Sequence, residues 1–159
     1  MSDEGRVFSI QISQGGVPKR PIGLCRVTAA GIEGDRQRDL RFHGGPDRAV
    51  CVYSADLIEQ LRAEGHPIVP GSIGENLTLL GLDWTAMQPG ARLHFQGGLE
   101  LELTSFAAPC RKISGAFVGR TFSRVSEAKY PGMSRIYARV LTPATLVTGA
   151  SLRLVRSAS

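Results

Sequence analysis

The chain has 159 residues, 42% of them hydrophobic, and a formal net charge of +5, enough for one sizeable core and a single domain over residues 1–159. No apolar run approaches the roughly 18 residues that a membrane span needs, and Met1–Arg6 is polar and leads into no apolar signal stretch. Three cysteines, Cys25, Cys51 and Cys110, cannot all pair, which points to reduced thiols, a cytoplasmic setting and no membrane partner.

In chain order, Phe8, Ile10 and Ile12 alternate with Arg6, Ser9 and Gln11, which predicts a first strand with those three on one apolar face, ended by Gly15-Gly16. Ile22 to Thr28 reads as a second strand containing Cys25. Arg48 to Ser54 is short and almost wholly apolar, the pattern of a central strand buried on both faces. A helix follows it. Ser54 can cap its N-terminus, Asp56 suits the first turn, Leu57, Ile58 and Leu61 share a face, and Gly65 can end it.

After a Pro67–Gly74 linker, Glu75 to Leu80 reads as a strand. Ala91, Leu93 and Phe95 alternate, as do Leu99, Leu101 and Leu103, and Gly97-Gly98 between them reads as a two-residue hairpin turn. Residues 113–127 form one or two short helices of poor periodicity, and Arg135 to Leu141 and Ser151 to Val155 read as closing strands, with turns at Pro143 and Gly149. Many short strands and few helices predict a mainly β domain built as a partly closed mixed β-barrel, which also removes exposed edges.

The segment from Gly34 to Val50 is the densest in chemistry: seventeen residues hold four arginines, three aspartates, a histidine and three glycines. Most connections run about 4–6 residues, and longer loops aimed by a rigid scaffold tend to carry function. Sixteen of the nineteen basic residues are arginines, whose planar fork suits phosphate and carboxylate groups. A GC-rich genome accounts for the overall bias but not for the cluster between Arg36 and Arg48, so an anion is expected at this loop. With no basic runs and only ten aromatics, the composition argues against a nucleic-acid partner.

Cys25 and Cys51 sit inside strand patterns as small hydrophobes. Cys110 differs, because it follows a strand exit at Phe106–Pro109 and precedes Arg111-Lys112. Cations beside a thiol raise its thiolate fraction, and such a thiolate can attack an electrophile, carry sulfur or ligate a soft metal. His43 precedes Gly44-Gly45, where a backbone can approach a ligand closely. His66 lies in a turn and His94 on the outer face of the hairpin, and no histidine or cysteine pair has zinc-site spacing. Gly71 to Asn76 is a glycine-punctuated turn that matches neither a P-loop nor a dinucleotide fingerprint.

Gly34-Asp35, His43-Gly44-Gly45 with Asp47 and Ala49-Val50, then Gly74-Glu75-Asn76-Leu77, then Leu103-Thr104 leading to Pro109-Cys110-Arg111-Lys112 together resemble the MOSC domain, the C-terminal domain of molybdenum cofactor sulfurases. The resemblance spans nearly the whole chain, to the Arg135–Val140 strand. It implies a β-barrel of the pyruvate-kinase barrel type that binds the molybdenum cofactor (Mo-molybdopterin), with Cys110 at the family's invariant cysteine as a thiolate ligand of molybdenum or a carrier of sulfur. Some bacterial and mitochondrial members reduce N-hydroxylated compounds, so the resemblance implies an oxidoreductase with a small N-hydroxylated substrate.

The pterin dithiolene carries a phosphate, and the residues expected to hold the cofactor are Asp35, Arg36, Arg38, His43, Gly44, Gly45, Asp47, Arg48, Glu75, Asn76, Arg111 and Lys112. Asp35, Asp47 and Glu75 are expected to orient arginines and loop amides rather than exchange protons. The chain lacks the ferredoxin-type module and the separate N-terminal barrel of some relatives, so an external electron-donor protein, or a cofactor-accepting enzyme, is expected as partner. Three readings stand: a molybdenum-dependent reductase, a sulfur or cofactor carrier using Cys110, and a non-enzymatic anion-binding barrel.

Overall fold

The structure is a computed structural model that describes residues 2–35 and 45–157. Its strands are β1 (Glu4–Ile12), β2 (Arg20–Ile22), β3 (Leu24–Thr28), β4 (Gly31–Ile32), β5 (Val50–Ser54), β6 (Leu77–Leu80), β7 (Arg92–Phe95), β8 (Glu100–Phe106), β9 (Ile136–Thr142), β10 (Ala144–Val147) and β11 (Ser151–Val155). The α-helix α1 spans Ala55–Ala63. Seven strands run in the order β11-β7-β8-β9-β5-β6-β1, and β1 pairs back onto β11, so the barrel closes completely. β2 extends the sheet from the far end of β1, while β10, β3 and β4 form a separate three-stranded sheet.

All these barrel pairings are antiparallel except β5 with β6. Parallel neighbours need a crossover, and here it is α1 with the loop after it. Ser54 Oγ accepts the Leu57 N–H at 3.0 Å, Leu57, Ile58 and Leu61 are buried, and Gly65 ends the helix at φ 101°. All five residues of β5 are buried, because α1 packs over it and the barrel interior lies on its other face. Tyr53 of β5 stands edge-on to Trp84 at 5.9 Å and donates its hydroxyl to the Met133 carbonyl at 2.8 Å, so both ends of this large side chain are used.

Several expectations are corrected. Phe8 does not share the inner face of β1: the register against β6 shifts between Val7 and Ser9, so Val7 and Ile10 enter the core and Phe8 is exposed. The expected strand from Ile22 to Thr28 is broken at Gly23, which lets β2 join the barrel sheet and β3 the small sheet. The hairpin loop has three residues, not two: Phe95 N–H donates to Leu99 O at 2.9 Å and Gly98 N–H to Phe95 O at 3.0 Å. Both Gly97 and Gly98 have positive φ, which no side chain would favour there.

The stretch expected to hold one or two short helices holds three short 3-10 helices, Arg111–Ala116, Val118–Arg120 and Phe122–Val125, in keeping with its poor periodicity. β10 occupies the stretch after Pro143 that read only as a turn. Among the described residues no helix is long and apolar enough to cross a membrane.

Candidate functional site

At one end of the barrel, five segments converge on a cavity. Its wall includes Val17 and Lys19 from the β1–β2 loop, Cys51 from β5, Ile73, Gly74 and Asn76 before β6, Ala108, Cys110 and Lys112 after β8, and Arg135 and Tyr137 at the start of β9. Gly71 lets two of these segments meet. Its φ is +87°, Lys19 N–H donates to its carbonyl at 2.9 Å, and a Cβ there would stand 2.4 Å from the Lys19 carbonyl oxygen.

Cys110 is half-buried and stands just ahead of the Arg111–Ala116 turn in extended backbone, its carbonyl accepting the Ile113 N–H at 3.1 Å. The chain leaves β8 at Phe106, and Ala107 N–H still donates to Arg135 O at 3.0 Å. The last sheet contact therefore fixes the thiol's approach to the cavity.

Another part of the wall is backed by a buried polar cluster. The Asp35 carboxylate accepts Lys19 Nζ on both oxygens at 2.7 Å, the Ser13 N–H at 2.9 Å and Asn76 Nδ2 at 2.9 Å. Asn76 also accepts the Cys51 N–H on Oδ1 at 3.0 Å and donates its own backbone N–H to Cys51 O at 2.7 Å. This side-chain bridge stands where β5 and β6 separate, and it binds the Gly34-Asp35 turn to the barrel end.

Arg135 is buried too. It donates from Nη1 to Ile73 O at 2.7 Å and from Nη2 to Ala108 O at 3.4 Å, while Nε has no partner. It thereby clamps the loop before β6 to the segment that carries Cys110. Burial pushes the Cys51 thiol up to about 11 and the Tyr137 phenol up to about 12, so both keep their protons near neutrality.

The expected site residues fall into distinct places. Cys110, Asn76 and Lys112 line the cavity, and Asp35 lies behind its wall. Arg48 places its guanidinium 5.2 Å from the centre of the Tyr137 ring, against the same wall. Glu75 is fully buried but does not line the cavity: its Oε2 accepts the Thr78 hydroxyl at 3.2 Å, its Oε1 has no partner, and burial raises its carboxyl to about 7. Gly45 and Asp47 are exposed, and Asp47 faces Arg139 at 3.5 Å while its carbonyl accepts the Thr104 hydroxyl. Arg111 is exposed and is not in the cavity wall. Arg36, Arg38, His43 and Gly44 lie outside the described residues.

The structure also brings in Lys19, Cys51, Arg135 and Tyr137, none of which the sequence reading placed at a site. No local signal marked Arg135: it precedes β9, whose alternation buries Ile136 and Ala138 and leaves Arg139 exposed.

The barrel and its cavity define a class: a small closed β-barrel with a half-buried thiol in the wall of a cavity that Lys19, Lys112 and Arg135 also line. Among the described residues no group of three or more His, Cys, Asp or Glu side chains could hold a metal ion. The MOSC domain family matches residues 39–153. The chain belongs to that family, which is associated with molybdenum cofactor binding.

Among its relatives, YflK of Bacillus subtilis (strain 168) is 32% identical over 145 residues, 88% of this chain and 63% of that protein. YiiM of Escherichia coli (strain K12) is 29% identical over 99 residues, 60% of this chain and 44% of that protein. The chain thus spans less than two thirds of either. The crystal structure of the YuaD protein from Bacillus subtilis superposes with a TM-score of 0.75 over 98% of this chain and 97% of that one, at 19% identity, a likeness of fold.

Proposed function

We propose that this chain binds the molybdenum cofactor at the Cys110 cavity and reduces small N-hydroxylated compounds there. The observation that carries the reading is the half-buried Cys110 thiol in a cavity whose described walls hold Lys19, Lys112 and Arg135 but no carboxylate. That donor set fits the group. Thiolate is a soft ligand suited to molybdenum bound through sulfur, and the cations suit an anionic pterin dithiolene phosphate. When bound, the cofactor would supply the two-electron redox chemistry of the reaction.

The chain's own residues would bind, orient and keep protons. Cys110 Sγ would serve as the thiolate ligand. Asp35 locks Lys19 and Asn76 in place, so this part of the cavity wall is preset before any ligand enters. Arg135 fixes the distance between the Ile73 loop and the Cys110 segment. The overall change breaks one N–O bond and consumes two electrons and two protons, releasing the amine and water. Tyr137, protonated near neutrality, can donate a hydrogen bond to the departing oxygen. The electrons would come from an external donor protein, and three unpaired cysteines suit a reducing, cytoplasmic setting.

Expression in a host that makes the cofactor, followed by anaerobic purification, metal analysis and pterin fluorescence, tests the reading. Stoichiometric molybdenum and pterin are expected, together with reduction of an N-hydroxylated purine by a chemical electron donor that Cys110→Ala abolishes. Absence of both molybdenum and pterin would overturn the proposal. A protein without the activity but with cyanide-labile sulfur on Cys110 would establish the sulfur carrier instead.

A further inference from the structure

The three cations in the described cavity wall are not equivalent. Lys19 is neutralised by Asp35 at 2.7 Å, and Lys112 is exposed to water. Arg135 is buried, and among the described residues no carboxylate pairs with it. Its fork ends on two carbonyl oxygens and its Nε on nothing. Arginine does not shed its proton inside a protein, and a buried charge without a counter-ion is expensive.

Glu75, whose carboxyl feels the field of Arg135, is held at about 7 by burial, so it offers only part of a negative charge near neutrality. The bond from Nη2 to Ala108 O is long, at 3.4 Å, and that carbonyl lies two residues before Cys110. The guanidinium, without a full counter-charge among the described residues, is thus held tightly by the Ile73 loop and loosely by the segment that carries the thiol.

We propose that Arg135 makes the Cys110 end of the cavity an anion subsite, which receives the oxyanion or the neutral N–O group of the small molecule that reacts there and turns away cations. The proposal rests on the reading of Cys110 as the reactive thiol of the site. Among N-hydroxylated compounds, it favours neutral or acidic ones over those whose reduced product is a cation, such as an amidinium. A product that takes up a proton to become a cation would have to form beside the buried guanidinium, at an electrostatic cost that a neutral or anionic product escapes.

Alkylation of Cys110 in the purified chain without cofactor tests this directly. Iodoacetate is an anion and iodoacetamide is neutral, and both consume the same thiolate. The ratio of their rates at Cys110, followed by the mass of the Cys110 peptide, therefore reports the local field and not the ionisation of the thiol. In the folded chain the ratio should exceed that of the urea-unfolded chain by about fivefold. Arg135→Gln should bring it close to the unfolded value, Arg135→Lys should keep most of it, and Lys112→Gln should change it little because water screens that charge.

Sodium sulfate should slow iodoacetate labelling of the wild type more than sodium chloride of equal ionic strength does. A wild-type ratio no higher than the unfolded one, or an Arg135→Gln ratio equal to wild type, would overturn the subsite. If Arg135→Gln does not fold, the sulfate comparison decides, and absence of specific protection overturns the proposal. Failure of both reagents to label folded Cys110 would instead refute the accessible thiol. The subsite would then stand or fall on whether sulfate at low millimolar concentration, below the range in which it stabilises proteins by exclusion, raises the melting temperature of wild type with a saturating dependence that chloride lacks.

Discussion

Asp35 with Lys19, and Glu75 with Arg135, are two acid and base sets buried beside the same cavity, and the fold treats them oppositely. Lys19 and Asp35 meet at 2.7 Å, and the carboxylate's remaining capacity is filled by the Ser13 amide and Asn76. Glu75 and Arg135 make no ion pair, and each keeps one buried atom, Oε1 and Nε, without a partner. A fully satisfied buried network rigidifies and specifies one arrangement, whereas a partly satisfied one holds free energy that a ligand or a proton can release. The first set is framework. The second is where the site can respond.

The largest expected effect tests the framework half. Asp35→Ala removes the partner of Lys19, leaving an ammonium whose side chain is only 9% exposed, and also frees the Ser13 amide and Asn76. Breaking one partner of a buried pair costs about 3–5 kcal/mol, so the urea midpoint should fall accordingly. Asp35→Asn, which keeps the shape and some hydrogen bonds but not the charge, should fall between wild type and Ala. A loss in Asp35→Ala confined to a few tenths of a kcal/mol would show that the pair is solvated, and the contrast with Glu75 would vanish.

Glu75 should show the opposite sign. Its carboxyl rises from the ordinary 4.5 to about 7, with burial as the main cause, opposed by hydrogen bonds from backbone amides and Thr78 and by the charge of Arg135. The folded state thus holds this proton more tightly than the unfolded chain does. The ionisation penalty is absent below about pH 4.5, grows as the pH rises towards 7, and is fully present above it. Glu75→Gln, neutral at every pH, should stabilise the chain by up to about 3 kcal/mol at pH 8 and change little at pH 4. Denaturation midpoints of both proteins across this range measure the difference. Equal pH profiles would mean that Glu75 is ionised and compensated, and the two sets would then be alike.

The same contrast explains what could be read from the sequence. Ser54, Gly65 and the alternation around Gly97-Gly98 act within a few residues of themselves, so α1 and the β7–β8 hairpin were legible. Cys110 stood out because a strand exit, a proline and two cations are adjacent in the chain. Many short strands point only to a partly closed barrel; the pairing that closes it completely joins Glu4 to Arg153, and no local pattern encodes that register. Phe8 was misplaced because a bulge costs one residue of alternation and leaves no mark of its own. Lys19 and Arg135 are buried only because Gly71, Ile73 and Ala108 arrive from elsewhere and cover them. Their roles are properties of the closed barrel end, not of their neighbours in sequence.

The smallest effect sets the scale for the other two. Ser54→Ala removes one capping hydrogen bond, from the Leu57 N–H at 3.0 Å, and leaves the charges of the cavity in place. Loss of such a cap costs about 1 kcal/mol, and since neither Ser54 nor Leu57 titrates, the cost should be the same at pH 5 and pH 8. β5 leads from Cys51 in the cavity wall to this cap, so the substitution also asks whether loosening the α1 end reaches the cavity. If Asp35→Ala costs no more than Ser54→Ala, the buried pair is worth no more than an ordinary hydrogen bond. If Ser54→Ala also shifts the iodoacetate to iodoacetamide ratio at Cys110, the cavity is not rigidly preset, and the field there cannot be assigned to Arg135 alone.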